Sequence, residues 1–320
     1  MAINCLWPFL KNCSRKVNLR EFSGQTAAID ASCWIHRALY VTITERGNRE
    51  RFGNTFQRYL QTAKNAGVRP FVVFDGLPLP AKAAEDERRK REREDRRNKV
   101  EEENLTSEEA NRLRGQAVSV TFDDIYTCIN ASARLLQLFF SIDLICLSEG
   151  VKYIVSPYES DAQIAFLLGN DCADFAITED SDLLVYGCKK VMVKTSMSGV
   201  GECFVLSHVL ESLKLSMNEF RKVCIAAGCD YLKNGRGIGI QRAFKMVAAG
   251  KLMELLGKGG APEDYWESFL KAEAVFQPQT VFNLGTCSTV PLEKWETNPP
   301  VEIQYLCGEY PLDTNTHIKK

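Results

Sequence analysis

Several features that would mark a secreted or zinc-binding protein are missing from this 320-residue chain. Its twelve cysteines include no Cys-x-x-Cys pair and it has only three histidines, so a structural zinc site is not expected. A chain of this length can build its own apolar core, so the cysteines favour a reducing compartment over a disulfide framework. The N-terminus lacks a basic segment and a small-residue cleavage site, and no signal peptide is expected.

Long apolar runs and a strong net charge are also missing. The longest apolar stretch, 135–147, contains Gln137, Ser141 and Asp143 and is shorter than the roughly 20 residues of a membrane helix. We therefore expect no membrane insertion. The formal net charge of −1 is unusual for a nucleic-acid-binding protein. That average hides an uneven distribution, because basic residues concentrate in 81–103 while acids follow apolar runs.

Four short apolar runs, each ending in or followed by acids, predict strands. They cover residues 26–30, 70–76, 151–157 and 174–180. The runs alternate with helical segments, a pattern typical of a parallel sheet that is covered on both faces. We predict an α/β fold with a central, mostly parallel, twisted sheet flanked by helices. In such sheets the active site forms beyond the carboxyl ends of the strands, which is where the acids lie.

Acidic residues at these strand ends predict a two-metal centre for phosphodiester hydrolysis. Two hard cations about 3.5–4 Å apart activate a water and neutralise the attacking and leaving oxygens, and Mg²⁺ prefers carboxylate ligands. A single Asp after a strand is commonly a helix cap or turn residue. Acids at i and i+2, however, repel each other by roughly 4 kcal/mol at ~4 Å unless a cation separates them. The predicted metal ligands are Asp30, Asp75, Glu159, Asp161, Asp180, Asp182 and Asp230.

The strings around these acids resemble the successive motifs of the flap endonuclease/XPG family of structure-specific 5′ nucleases. In chain order they read AIDASCWIH, VFDG, PYESDAQ, ITEDSDLL and GCDYL, at residues 28–36, 73–76, 157–163, 177–184 and 228–232. Their order and approximate spacing agree with the family over nearly the whole chain. The Glu159-x-Asp161 pair resembles the exonuclease 1 branch. The resemblance implies a PIN-like nuclease fold with a helical arch and a C-terminal helix–two-turn–helix region, and two Mg²⁺ ions that Mn²⁺ can replace.

The same resemblance implies an activity and a setting. We expect 5′-to-3′ exonuclease action on duplex DNA, with cutting of 5′ flaps, in mismatch repair, end resection and recombination in the nucleus. The expected partners are duplex DNA with 5′ ends, nicks or 5′ flaps and the mismatch-repair proteins, and the chain is expected to be a monomer. A flap endonuclease of replication and base excision repair, or a non-catalytic DNA-binding scaffold of the same fold, are the alternatives.

The family pattern also divides the chain into regions. It predicts an N-terminal nuclease region that includes the start of the arch, followed by the arch and connecting helices, the I-region that completes the site, and the helix–two-turn–helix with a C-terminal segment. These regions cover 1–99, 100–150, 151–235 and 236–320.

Charged residues dominate 81–103, and the lack of Gly and Pro there predicts one long exposed helix. Opposite charges four residues apart, such as Glu85 and Arg89, favour a solvated helix held by its own ion pairs. A basic stripe at helical spacing favours instead a surface that faces the metal-bound phosphate. The resemblance implies that the first two members of the stripe act catalytically together with Asp182, and that the last two bind DNA. The stripe consists of Lys82, Arg89, Arg93 and Arg96.

A Gly-x-Gly turn opens a helical segment soon after Asp230. Such a turn presents backbone N–H groups to a phosphate, although taken alone it is an ordinary loop. In the family this hairpin grips the duplex backbone and holds a monovalent cation, so K⁺ is expected here, and contacts of this kind carry no sequence information. His36 matches a family position and is also interpretable as a buried histidine. The further predicted DNA contacts are His36, Gly237, Ile238, Gly239, Gln241, Arg242 and Lys245.

Some positions depart from the family pattern. Ala2 replaces the usual glycine near the active site, and Ser32 replaces an aromatic residue common in the exonuclease 1 branch. About a dozen additional residues within 135–147 are interpreted either as a lineage insertion or as a retained intron. The long tail that carries partner motifs in many relatives is not expected here.

Overall fold

The computed structural model describes residues 3–46, 51–102, 105–130, 150–254, 265–294 and 300–308. Ala2 and the additional segment 135–147 lie outside these residues. The strands are β1 (Ser14–Asn18), β2 (Thr26–Asp30), β3 (Arg69–Phe74), β4 (Lys152–Val155), β5 (Phe175–Ile177), β6 (Lys190–Val193), β7 (Val200–Val205), β8 (Thr280–Asn283) and β9 (Ser288–Pro291). The helices are α1 (Leu6–Phe9), α2 (Ala31–Arg46), α3 (Phe52–Asn65), α4 (Ala83–Glu102), α5 (Ser107–Gln116), α6 (Phe122–Asn130), α7 (Ser160–Gly169), α8 (Asp182–Val185), α9 (Leu206–Leu213), α10 (Met217–Ala227), α11 (Ile240–Ala248), α12 (Tyr265–Val275) and α13 (Val301–Leu306).

Seven strands form the central sheet, in the order β1-β7-β6-β5-β2-β3-β4. The five adjacent strands β6, β5, β2, β3 and β4 run parallel to one another, whereas β7 runs antiparallel to both β6 and β1. The prediction of a mostly parallel α/β sheet is therefore confirmed. The strand order reverses at β2, because β3 lies on one side of it and β5 on the other. Carboxyl ends of parallel strands at such a reversal open a crevice for a ligand.

Apolar side chains cover both faces of this sheet, and the two-residue period of the strands explains why. On β2, Ala28 packs into one buried cluster and Ile29 into the other. On β3, Val73 and Val72 divide in the same way. Helices α7, α10 and α12 contribute to the first cluster, and α2 and α3 to the second. The continuous apolar runs in the sequence are the direct result of burial on both faces.

The charged segment forms α4, a 20-residue helix preceded by a short 3₁₀ turn at Pro80–Lys82. This confirms the long helix predicted for 81–103. Farther along the chain, α10 packs against α11, and the segment between them carries the Gly-x-Gly turn. In the part of the chain that the structure describes, no helix is both long and apolar enough to cross a membrane.

Gly76 lies where the segments after β3 and β4 come closest together. Its N–H donates to the Tyr158 carbonyl oxygen at 2.6 Å, and the Leu77 N–H donates to Pro157 at 3.0 Å. A Cβ atom at this position would lie 1.9 Å from the Ser156 carbonyl oxygen and 2.7 Å from that of Pro157. Only glycine permits this approach, which places Asp75 beside the start of α7.

Replacing this glycine should destabilise the fold. Gly76→Ala is expected to lower the free energy of unfolding by about 1–3 kcal/mol, because backbone atoms must move to admit the methyl group. Urea denaturation measures the change. Gly169→Ala is the matched control: nothing lies within 4 Å of its Cβ position, at the end of α7. That variant should match the wild type or gain up to about 1 kcal/mol. Equal stabilities for the two variants would contradict the steric argument.

Candidate active site

The seven predicted acids come from five places that the sheet brings to one edge. Asp30 is the last residue of β2, and Asp75 directly follows β3. Glu159 and Asp161 begin α7 after β4, and Asp182 begins α8 after β5. The remaining two are Asp180, between β5 and α8, and Asp230, shortly after α10.

These acids form one continuous electrostatic network. Asp30 is repelled by Asp75 and by Asp180. Asp161 is repelled by Asp180, Asp30, Glu159 and Asp182. Glu159 is repelled by Asp75, and Asp182 by Asp230, so each of the seven acids has at least one acidic neighbour. The structure thus brings together all of the predicted metal ligands.

Burial and like charge both raise the pKa values in this network. Burial, followed by the charges of Asp75 and Asp180, raises the pKa of Asp30 to about 6. Asp161 and Asp182 are 7% and 2% exposed, and burial, reinforced by the charge of Asp180, raises the pKa of each well above its usual range. A carboxyl group resists ionisation in this way when the surroundings lack positive charge. The site therefore favours a bound cation.

Hydrogen bonds fix the orientation of the first two acids. The Cys33 thiol and the Thr178 hydroxyl both donate to Oδ2 of Asp30 at 2.8 Å. The Ser160 N–H donates to Oδ1 of Asp75 at 2.8 Å, and the Ser32 hydroxyl donates to its other oxygen. Ser32, which departs from the family pattern, thus holds a site carboxylate. Sequence reasoning assigned no role to the other three donors.

Helix α4 and the 3₁₀ turn before it each bring one of the predicted basic residues to the acids. The Lys82 ammonium pairs with Glu159 and lies 3.1 Å from Oδ2 of Asp230. Nη2 of Arg89 lies 2.7 Å from both oxygens of Asp230. Burial lowers the pKa of Lys82, but the charges of Glu159 and Asp230 outweigh it and hold that pKa well above its usual range. Lys82 is therefore a cation at neutral pH.

The two faces of the charged helix have different surroundings, and a contact between the basic stripe and a phosphate stays a prediction. Glu87 and Arg91 form an i, i+4 ion pair at 3.2 Å on the solvent side. Arg96 pairs with Glu92 at 3.6 Å, and Arg93 is half-buried on the same face as Arg89. The outer face is a solvated helix surface, whereas the inner face supplies cations to the acids. Arg93 and Arg96 lie farther along that inner face.

The donor set fits magnesium chemically. Oδ1 of Asp182 is buried without a hydrogen-bond partner among the residues that the structure describes. Within the described ranges, no three His, Cys, Asp or Glu side chains form a group that holds a metal ion by itself. Lys82 and Arg89 engage Glu159 and Asp230 in this arrangement. Mg²⁺ commonly takes only one or two protein carboxylates and completes its coordination shell with water and substrate phosphate. The carboxylate oxygens of this site are therefore sufficient to bind it.

The remaining predicted DNA contacts lie on two other surfaces. His36 is exposed on α2, and partial desolvation together with the positive charge of Arg93 lowers its pKa. The interpretation of His36 as a buried histidine is wrong. Gln241, Arg242 and Lys245 are exposed along α11.

The hairpin before α11 requires one correction. Gly237 and Gly239 are exposed, and Gly237 has a φ of +73°, which favours glycine. Ile238 is fully buried and its N–H donates to the Gly235 carbonyl oxygen at 3.0 Å. Ile238 therefore anchors the turn, and the prediction that it offers its N–H to a phosphate is wrong.

A separate cavity of about 600 Å³ lies at the opposite edge of the sheet. Thr26, Arg69 and Lys152, at the amino ends of β2, β3 and β4, contribute to its lining. The acids do not line this cavity, so it is not the active site. The acids lie instead at the carboxyl-end edge of the sheet, where Arg89 of α4 contacts Asp230.

Comparison with known proteins agrees with this geometry. Residues 1–96 match the XPG N-terminal domain and residues 150–230 match the XPG I-region. Exonuclease 1 of Xenopus laevis is 32% identical over 333 aligned positions, which cover 95% of this chain and 42% of that protein. Flap endonuclease 1 of Enterocytozoon bieneusi is 27% identical, covering 100% of this chain and 94% of that protein. The chain spans less than half the length of the Xenopus relative.

Solved structures show the same fold. The catalytic core of Rad2 in complex with a DNA substrate superimposes with a TM-score of 0.57 at 22% identity. The match covers 84% of this chain and 78% of the Rad2 chain.

Asp30 should make the stability of the metal-free protein depend on pH. Its pKa of about 6 lies above the ordinary value of 3.8, so the folded state binds this proton more tightly than the unfolded state. The resulting stabilisation, about 3 kcal/mol, is fully present below about pH 4 and is lost as the pH rises through 6.

Urea denaturation from pH 4 to 7 in the presence of a chelator measures this effect. Asp30→Asn should remove part of the loss of stability with rising pH. Glu211→Gln, at an exposed position of α9, should keep the wild-type dependence. Identical pH profiles for Asp30→Asn and the wild type would contradict the assignment.

Proposed function

As this chain belongs to the XPG family of nucleases, we propose that it is a magnesium-dependent 5′-to-3′ exonuclease of duplex DNA that also cuts 5′ flaps. One observation carries the proposal: seven acids from separate strand and helix ends form one network that two cations contact, Lys82 in the 3₁₀ turn before α4 and Arg89 on α4. The seven acids are the proposed ligands of two Mg²⁺ ions, directly or through water, and Mn²⁺ is a proposed substitute. When bound, such ions activate a water and neutralise charge on the attacking and leaving oxygens.

The chain's own cations complete the chemistry. Lys82 and Arg89 face the acids from the arch, and a phosphate placed over the acids lies within the field of both side chains. Positive charge held near a developing negative charge lowers the barrier, because the donors are already oriented. Lys82, Arg89 and Asp182 are accordingly the proposed catalytic residues. The regions proposed from the family pattern place these residues in separate parts of the chain that meet at the site.

A second surface is proposed to hold the duplex away from the cut. Gly237, Gly239, Gln241, Arg242 and Lys245 are exposed around the start of α11, where backbone N–H groups and positive side chains suit a phosphate. We place the proposed K⁺ at this hairpin. His36, Arg93 and Arg96 are proposed to contact DNA nearer the arch. Since phosphate contacts release counterions, binding should weaken steeply with added salt.

The biological setting is proposed from the exonuclease 1 relatives. We propose a nuclear, monomeric protein that acts in mismatch repair, end resection and recombination and that contacts mismatch-repair proteins. A flap endonuclease of replication and base excision repair is the second candidate, supported by the 27% identity to a flap endonuclease 1. A non-catalytic scaffold is disfavoured because all seven acids are present.

Digestion of end-labelled duplexes in Mg²⁺ tests the proposed activity. With a 5′ label, an exonuclease releases mononucleotides or short fragments at once, whereas a 3′ label yields a ladder of shortening strands. A flap endonuclease leaves blunt duplexes intact and cuts 5′-flap substrates at the junction. The double variant Asp180→Ala/Asp182→Ala should bind DNA without cutting it. Cutting by this double variant would place the active site elsewhere.

The arch cations should act mainly on the rate of cutting. Lys82→Ala or Arg89→Ala is expected to lower kcat about 100- to 1000-fold, because each removes a donor from the transition state. Single-turnover cleavage at saturating DNA measures the effect. Arg91→Ala is the control on the same helix, since Arg91 is 74% exposed and pairs only with Glu87 among the contacts described. Equal losses in all three variants would indicate a general effect of α4 charge.

A further inference from the structure

The two oxygens of Glu159 have partners from different parts of the molecule. Oε1 pairs with Lys82 of the arch. Oε2 accepts a hydrogen bond from the Tyr231 hydroxyl at 2.7 Å. Tyr231 belongs to the body of the protein, where its ring lies 5.0 Å from Phe276 in an edge-on contact. Glu159 is therefore held from both sides, by a charge on one and by a partly buried phenol on the other.

The Tyr231 phenol is one end of a longer series of hydrogen-bonded side chains. The Tyr231 hydroxyl lies 2.7 Å from the Tyr186 hydroxyl, and Tyr186 in turn contacts Oε1 of Gln279. Tyr186 is 4% exposed and Gln279 is fully buried. Burial raises the pKa of both tyrosines well above the usual range, so both phenols keep their protons at neutral pH. Three polar side chains thus connect Glu159 to the residue just before β8.

The number of available protons determines which way the hydrogen bonds in this series of side chains point. Three hydrogen bonds link Glu159, Tyr231, Tyr186 and Gln279, but the two phenols supply only two protons. Nε2 of Gln279 is buried and lacks a partner when Oε1 faces Tyr186. The oxygen and nitrogen of an amide side chain can be exchanged by turning the amide over. When the Gln279 amide is turned in this way, its Nε2 donates the third proton to the Tyr186 oxygen. Every group then donates toward Glu159, which suits an ionised carboxylate.

A second contact ties the same segment to the site. The Gln163 side chain donates to the Phe282 carbonyl oxygen at 2.9 Å and accepts from the Phe282 N–H at 2.7 Å. Gln163 is fully buried on α7, one turn after the residues that begin this helix. The strand β8 is therefore bonded to the helix that carries Asp161, as well as to Glu159 through the tyrosines.

We propose that Gln279, Tyr186 and Tyr231 are positioning residues, whose directional hydrogen-bond chain holds Glu159 in place and makes the β8–β9 hairpin a structural part of the metal centre. The proposal rests on the proposed function, because it takes Glu159 as a metal ligand. Its consequence concerns the arch. When Lys82 turns from Glu159 to a phosphate, the carboxylate keeps the partner that comes from the body of the protein.

Removing one hydroxyl tests the chain. Tyr231→Phe retains the ring against Phe276 and should weaken Mn²⁺ binding to the DNA-free protein about 10-fold, the usual cost of losing a partner of a metal ligand. Electron paramagnetic resonance of free Mn²⁺ measures this binding without any reaction. The Mg²⁺ concentration for half-maximal cleavage should rise by the same factor, while the KM for DNA stays unchanged. Tyr186→Phe should shift both quantities in the same direction by less.

Tyr265→Phe is the matched control, because it also removes a buried hydroxyl, which donates to the Lys233 carbonyl oxygen at 3.1 Å, far along the chain from Glu159. Its metal binding should equal that of the wild type. Thermal melting identifies any variant that fails to fold, and Tyr186→Phe and Gln279→Met then carry the test. Wild-type metal affinity in folded Tyr231→Phe would overturn the inference. Absence of cutting by the wild type in Mg²⁺ would instead overturn the proposed function.

Discussion

Mutual repulsion among buried carboxylates is the constraint on which the rest of the structure depends. Asp30, Asp161 and Asp182 are nearly inaccessible to water, and each has another acid as a neighbour. Such a cluster is unfavourable unless positive charge is supplied. In the arrangement described, Lys82 and Arg89 supply part of it to Glu159 and Asp230. The remaining excess of negative charge is the physical reason to expect a cation at this place.

The parallel sheet stabilises the fold enough to tolerate this concentration of negative charge. Its strands are covered by apolar side chains on both faces, so the core stabilises the fold independently of the acids. All strand ends that carry acids point to the same edge, and the reversal of strand order at β2 opens space there. Burial of the apolar core therefore offsets the repulsion among the acids, while the loops and helix starts set the positions of the acids. This division explains why acids distant in the chain meet without any local motif that joins them.

The sequence predicted the parts of the fold that have a local signal. Strands β2 to β5 appear as continuous apolar runs, and α4 appears as a charged run without Gly or Pro. Strand β1 has no such local signal, because Ser14, Arg15 and Lys16 are polar and its pairing with β7 depends on residues far away in the sequence. Likewise β7 contains Gly201 and Glu202, which interrupt the apolar pattern typical of a strand. The β8–β9 hairpin has neither a strong alternation nor a diagnostic turn.

The same distinction applies to the site. The acids were predicted because strand ends and i, i+2 spacing are visible in the sequence, whereas Thr178, Ser160 and Tyr231 act through contacts that only the folded chain creates. Ile238 was assigned to DNA binding because a Gly-x-Gly pattern does not reveal which N–H groups the turn itself uses.

Helix α7 gives the molecule a mechanical property that follows from Ser160. The N–H of this residue holds Asp75, and its hydroxyl lies 3.5 Å from Oδ1 of Asp30, so one helix start touches the ends of two different strands. About one turn farther along the helix, the Gln163 side chain is hydrogen-bonded to the backbone of β8. Helix α7 thus links β8 to the carboxylates at the ends of β2 and β3 through hydrogen bonds. The position of the C-terminal hairpin is therefore one of the constraints on the spacing between Asp30 and Asp75.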